Sequence, residues 1–115
     1  MEQDQHGLCL IINNEKFKDG RHRSGSQIDV LRLKNLFTEL GFDCSVEQDL
    51  TETEMTEILT EFAEDDRHIK SEMMILVILS HGSLGKIETI DGKEVSFKNN
   101  LKKKFNLQKY VKITM

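Results

Sequence analysis

The stretch MMILVILSHG, Met73 to Gly82, decides the fold. Seven consecutive apolar residues run straight into Ser80-His81-Gly82. A short unbroken apolar run closed by a turn signal is the pattern of a strand buried on both faces, as in a parallel sheet covered by helices. In open α/β sheets the ligand crevice lies just beyond the carboxyl ends of the strands. His81 stands one residue past such an end, and Gly82 offers a backbone N–H that can come close to a substrate.

The same grammar extends on both sides. Leu8 to Ile12 is a second short apolar run and is expected to be another buried parallel strand. Asn13 to Ser26, rich in Asn, Gly and Ser among basic residues, is expected to be a loop at the same carboxyl edge as His81. Its length favours a working loop over a plain connection. Ile28, Leu31, Leu33, Leu36, Phe37 and Leu40 recur at helical spacing, which predicts an amphipathic helix with Ser26 as N-cap and Gly41 just past its end. Phe42, Cys44 and Val46 alternate as a strand. Thr51-Glu52-Thr53-Glu54 has the form of a capping box, followed by an apolar stripe at Met55, Ile58, Leu59 and Phe62. Asp91-Gly92 between Lys86–Ile90 and Lys93–Ser96 signals a hairpin. Phe97, Leu101 and Phe105 suggest a short basic helix, and Tyr110 to Met115 a final strand. The order β-α-β-α-β-hairpin-helix implies an α/β fold with a largely parallel sheet.

Composition narrows the function. The formal charge of −4 argues against a general nucleic-acid binder, and six lysines without an acidic residue from Phe97 onward read as a solvated face. No apolar run approaches the roughly 20 residues needed to span a bilayer. Cys9 and Cys44 lie in strand-like runs, and no secretory leader is visible, so reduced cysteines and a cytoplasmic location are expected. The four histidines and two cysteines show no metal-ligand spacing, and no cofactor is expected.

His81 is a candidate general acid or base, which would need a nucleophile within about 3 Å. Arg23, in Arg21-His22-Arg23-Ser24-Gly25-Ser26, is a candidate carboxylate receptor, because a guanidinium can present two parallel N–H donors. Four stretches then share one likeness: Gly7 to Asn14 (GLCLIINN), Arg23 to Val30 (RSGSQIDV), Gly41-Phe-Asp to Asp49-Leu-Thr51, and Leu79-Ser-His-Gly82. Together, in this order, they resemble the large catalytic subunit of a caspase, a cysteine protease that cleaves after aspartate.

The resemblance implies a caspase-like three-layer fold, of which this chain holds the first half. It implies His81 as the catalytic imidazole and Gly82 as an oxyanion-hole donor. Arg23 and Ser80 would hold the substrate aspartate that precedes the cut bond (P1). Arg21 falls where the family turns a backbone carbonyl toward the histidine. The expected division is a flexible N-terminus (1–6), the caspase-like region (7–96) and a basic tail (97–115).

The nucleophile is expected to be missing. Cys9 and Cys44 match sheet strands, and 34 residues follow His81, against about 50 between His and Cys in the caspase signature. Two functions follow from the likeness. One is a truncated cysteine-type endopeptidase of apoptotic proteolysis, inactive alone, whose partners are proteins with Asp at P1 and another caspase chain or small subunit. The alternative is a non-catalytic regulator that binds a full caspase or its adaptor through an open sheet edge. An unrelated flavodoxin-like module would leave Arg23 and His81 without a shared purpose. With no strand beyond Met73 to Leu79, that edge would be open to aggregation or strand addition unless Tyr110 to Met115 covers it.

Overall fold

The computed structural model describes residues 7–70, 73–83, 86–96 and 110–114. Four strands form one parallel sheet in the order β2-β1-β3-β7: β1 is Gly7–Asn13, β2 Phe42–Gln48, β3 Met74–Leu79 and β7 Tyr110–Thr114. Helix α1 (Ser26–Glu39) joins β1 to β2, and α2 (Glu52–Ala63), with a 3-10 turn at Asp66–Lys70, joins β2 to β3. A small antiparallel sheet of β4 (Gly82–Ser83), β5 (Lys86–Glu88) and β6 (Glu94–Ser96) follows His81. This is the mixed α/β fold expected from the sequence, and it fits part of a caspase-like domain.

The apolar patterns follow from which faces are covered. On one face, Leu8, Leu10 and Ile12 of β1 join Leu76 and Ile78 of β3 against Met55, Leu59 and Phe62 of α2. On the other, Cys9 and Ile11 join Ile75, Val77 and Leu79 against Val30 and Phe37 of α1. Both β1 and β3 are thus buried on two faces, which is why their runs are unbroken. β2 is an edge strand: Phe42, Cys44 and Val46 pack toward the α1 cluster, while the intervening Asp43, Ser45 and Glu47 are polar. Its alternation records a single covered face.

α2 begins as its sequence predicts. The Thr51 side chain accepts from the Glu54 N–H at 3.3 Å, and Glu54 Oε1 accepts from the Thr51 N–H at 3.0 Å. The hairpin tip adds to this cap, since Asp91 Oδ1 accepts the Glu52 N–H at 3.2 Å. A hydrogen bond from the Thr89 hydroxyl, with the Glu52 N–H helping, keeps the Asp91 carboxyl below its ordinary pKa. The hairpin and α2 are therefore one packed unit.

α1 departs from expectation in two ways. Its N-cap is Gly25, in the left-handed region at φ 84°, not Ser26. Ser26 already belongs to the helix and turns its hydroxyl inward, where it accepts from Asn13 Nδ2 at 3.2 Å. The apolar stripe is also narrower than the spacing suggests. Val30 and Phe37 are buried with Leu33 beside them, whereas Ile28 and Leu31 are 57% and 59% exposed. At about 100° per residue these two leucine-type positions fall opposite the core face, and one helix face cannot cover all six. Gly41, at φ 94°, does follow the helix in the left-handed conformation, as expected of a residue just past its end.

Ser83 lies in β4 and pairs with Lys86. The basic helix expected from Phe97 lies outside the described residues. Tyr110–Thr114 forms the expected final strand and pairs in parallel with β3, from Met74↔Tyr110 to Ile78↔Thr114. The edge of β3 facing away from β1 is thereby paired, as expected if Tyr110 to Met115 covers it.

Candidate active site

The carboxyl ends of β1 and β3 meet at two asparagines. The Asn14 backbone N–H donates to the Leu79 carbonyl at 2.8 Å, which locks the end of one strand to the other. The Asn14 side chain is fully buried and makes three further contacts. Its Nδ2 donates to Ser80 Oγ and to the Glu88 carbonyl, both at 3.3 Å, and its Oδ1 accepts the Leu50 N–H at 2.9 Å. Ser80 in turn donates to the Glu88 carbonyl at 2.7 Å. The Glu88 N–H donates to the His81 carbonyl at 2.9 Å. His81 is thus stapled through its own backbone and through Ser80 to the hairpin.

The imidazole of His81 is partly exposed and lies against the ring of Phe17, with centroids 4.8 Å apart and planes tilted by 40°. Phe17 is 5% exposed and carries the Arg21 guanidinium over its ring, 5.0 Å from the centroid. Arg21 binds Asp19 through Nε at 2.8 Å and grips both carboxylate oxygens of Glu88, Nη1 to Oε1 at 3.1 Å and Nη2 to Oε2. The Glu88 contact is the chief reason that the Arg21 pKa is raised, with Asp19 adding to it. The Arg21 backbone N–H, ahead of its side chain, pulls the Asp19 carboxyl below its ordinary value. Loop, hairpin and histidine are joined by this stack. The Arg21 carbonyl accepts the Phe17 N–H at 2.9 Å, closing the tight loop on which Phe17 sits.

Arg23 stands on the same loop, partly buried. Its Nη1 donates to Asn13 Oδ1 at 3.1 Å and to the Asn14 carbonyl at 3.4 Å, while its backbone N–H donates to the Glu15 carbonyl at 2.9 Å. The Glu15 carboxylate, 8% exposed, takes Gln27 Nε2 at 2.7 Å on one oxygen and lies 3.0 Å from His22 Nε2 on the other. Arg23, Ser80 and His81 are therefore brought to one sheet edge through the Asn13-Asn14 pair, with Gly82 following at the start of β4.

Asp49 fixes where this loop departs. It is the only non-glycine residue with positive φ among the described residues, at 52°. Its Oδ1 accepts the Glu15 and Lys16 N–H groups at 2.8 and 3.0 Å, and its own N–H donates to the Asn13 carbonyl at 2.9 Å. Asp tolerates the left-handed region better than most side chains, so one residue supplies both the turn and the clamp. Asp49→Ala should cost about 2–3 kcal/mol by losing charged acceptance of two N–H groups and adding left-handed strain. Urea unfolding would show the loss, and Asp49→Asn, which keeps an acceptor and the conformation, should recover most of it.

Neither cysteine serves this edge. Cys9 lies within β1, fully buried on the α1 face, and pairs in register with Cys44 of β2. Burial, and then the neighbouring Cys44, push the Cys9 thiol well above its ordinary pKa, away from the thiolate that a nucleophile needs. Among the described residues no group of three or more His, Cys, Asp or Glu could hold a metal ion. A surface hollow of about 200 Å³ between β2 and α2, lined by Asp43, Glu47, Ile58, Glu61 and Arg67 among others, shares no residue with the Arg23–His81 edge. Among the described residues no helix is long and apolar enough to cross a membrane.

The sequence pointed to Arg23, Ser80, His81 and Gly82 but assigned no role to Phe17, Asn13, Asn14, Asp49 or the Arg21–Glu88 pair. Two asparagines directly after the apolar run Leu8 to Ile12 were the available signal, since a buried amide needs hydrogen-bond partners. Phe17 in a polar loop was another.

The family model of the Caspase domain matches residues 6–113. The chain belongs to the caspase family. It is 38% identical over 80 residues to Caspase-1-A of Xenopus laevis, covering 70% of this chain and 21% of that protein. To Caspase-3 of Bos taurus it is 36% identical over 95 residues, covering 80% of this chain and 34% of that protein. Caspase-4 of Bos taurus is 38% identical over 82 residues, 71% of this chain and 22% of that protein. The chain thus spans about a fifth to a third of the length of these relatives, and the family-model match ends at residue 113, within β7.

Proposed function

We propose that this chain carries the imidazole half of a caspase-type site that cuts proteins after aspartate. The observation that carries the proposal is the shared sheet edge, where the Asn13-Asn14 pair joins the Arg23 loop to Ser80-His81. Arg23 would take the P1 carboxylate, with Ser80 beside it. A thiolate would attack the scissile carbonyl carbon, and the Gly82 N–H would stabilise the oxygen as it gains charge. His81 would protonate the leaving amine, and the thioester left behind would be hydrolysed by a water that gives its proton to His81. Phe17 against one face of the imidazole would hold its plane during both transfers.

The thiolate has to come from elsewhere, because Cys9 is buried and Cys44 lies beside it on the α1 face. Alone, the chain would be inactive, and its partners would be another caspase chain or a caspase small subunit, in the cytoplasm and in apoptotic proteolysis. The burial of Cys9 beside Cys44 on the α1 face also suits the second reading, a non-catalytic regulator that binds a full caspase or its adaptor through an open sheet edge, which with β7 paired to β3 would be that of an outer strand, β2 or β7.

A peptidase assay on a reporter peptide with Asp at P1 tests this, with His81→Ala as control. The purified chain should show no turnover, and turnover abolished by His81→Ala would mean that one of its own cysteines completes the site. Mixed with an active caspase, the chain should co-purify with it if it is a regulator. If it instead contributes the imidazole, turnover in the mixture should fall on His81→Ala.

A further inference from the structure

Asn13 is a buried amide whose oxygen and nitrogen are both bonded, and the catalytic scheme uses it only to join the Arg23 loop to the site. It is 0% exposed and lies at the last position of β1. Its Nδ2 donates to Ser26 Oγ and to Gln48 Oε1, each at 3.2 Å, and its Oδ1 accepts from Arg23 Nη1 at 3.1 Å. The orientation of the amide is forced. A guanidinium offers only donors, so the oxygen must face Arg23 and the NH₂ must face the two oxygens behind it. Those oxygens are themselves held: Ser26 by helix α1, and Gln48 by reciprocal bonds with Gln27 at 3.1 and 3.2 Å.

We propose that Asn13 is a positioning residue for Arg23, fixing the guanidinium by a neutral acceptor that adds no opposing charge where a carboxylate is to bind. The inference rests on the proposed role of Arg23 as receptor of the P1 carboxylate. The choice of amide over acid is what gives it content. An aspartate at this position would have nearly the same shape and would hold the guanidinium at least as tightly, because a charge-assisted hydrogen bond is the stronger one. It would also place a negative charge across the guanidinium from the substrate carboxylate, and at that range like charges repel through a partly buried, weakly screened path. An alanine would remove the shorter of the two described Nη1 bonds, 3.1 Å against 3.4 Å to the Asn14 carbonyl, and leave the Ser26 and Gln48 oxygens facing a void. The two substitutions therefore separate position from charge.

The test uses the full chain and has two arms. In the first, NMR follows rotation about the Arg23 Nε–Cζ bond. Asn13→Ala should speed it by about tenfold or more, the usual worth of a hydrogen bond to a charged group, while Asn13→Asp should leave it slow. In the second, affinities are compared for two acetylated, amidated tetrapeptides that end in Asp or in Asn. Wild type should prefer the Asp peptide, and Asn13→Asp should reduce that preference about tenfold even though its Arg23 stays ordered.

Unchanged Arg23 rotation in folded Asn13→Ala would overturn the positioning role. An undiminished Asp preference in Asn13→Asp would overturn the charge argument. If Asn13→Ala does not fold, Asn13→Ser, which keeps a small acceptor, takes its place in the first arm and should show intermediate rotation. A wild type that fails to distinguish the two peptides would sink the carboxylate role of Arg23 instead, and the first arm alone would then decide whether Asn13 positions it.

Discussion

Leu76→Ala is expected to destabilise the chain by about 3–4 kcal/mol, the largest effect of any single truncation here. Leu76 is fully buried at the middle of β3, paired in register with Leu10 of β1 on one side and Lys112 of β7 on the other. Its side chain belongs to the cluster against α2 that also holds Met55 and Leu59. Three strands converge on this position, so the surrounding backbone has little freedom to collapse into the space a smaller residue leaves. Urea unfolding monitored by circular dichroism reads the cost. Leu31→Ala is the matched control: at 59% exposure the same chemical change should fall within about 0.5 kcal/mol. Similar losses at the two positions would mean that β3 is not the centre of the core.

Gly82→Ala should be the most damaging change that adds a single carbon. A Cβ at this glycine would collide with the Lys86 carbonyl oxygen, which belongs to backbone and cannot swing away. β4 would have to part from β5, with an expected loss of about 2–3 kcal/mol from overpacking. The disturbance should reach the histidine, because the β5 residue Glu88 donates its N–H to the His81 carbonyl and takes the bond from Ser80. A changed His81 ring signal in the folded fraction would show that coupling. Gly25→Ala offers the contrast: nothing lies within 4 Å of its Cβ, and the strain is that of φ 84° alone, about 1–2 kcal/mol. If Gly82→Ala were neutral, the glycine would have no steric reason to be there, and only its N–H would matter.

Much of the fold could be read from β1 and β3 because a doubly covered strand has no solvent face to encode. Their unbroken apolar runs said so directly, and the alternation in β2 said equally directly that one of its faces is left polar. The capping box of α2 and the Asp91-Gly92 turn were legible because their signals are local and chemical. α1 was harder. It carries more apolar residues than its packing uses, so spacing alone could not say that Val30 and Phe37 face inward while Ile28 and Leu31 do not. Its start was misplaced by one residue because Ser26 is a good cap in isolation, and only the buried amide of Asn13 shows why its hydroxyl is needed elsewhere.

The site divides in the same way. His81 announced itself by standing past a strand, and Arg23 by its place in a basic loop, but their roles came from resemblance to a family and not from spacing. The residues that hold them were silent. Phe17 reaches His81 across 64 positions of sequence, Arg21 reaches Glu88 across 67, and Asn14 reaches Ser80 across 66. Contacts of that separation leave no periodic trace. Asp49 left none either, since a lone aspartate before a helix reads as an ordinary loop residue until its carboxylate is seen to take two N–H groups.

One titration tests the central claim, that Arg23 and His81 form a single receptor for an aspartyl peptide. The acetylated, amidated tetrapeptide ending in Asp is added to the labelled chain while the Arg23 guanidinium and the His81 imidazole are followed together by NMR. Both signals should move along one binding curve, and in Arg23→Ala the His81 response should vanish over the same concentrations. If the peptide binds without moving either signal, or if His81 responds unchanged in Arg23→Ala, the two residues do not share a site and the caspase-type assignment of this edge is wrong.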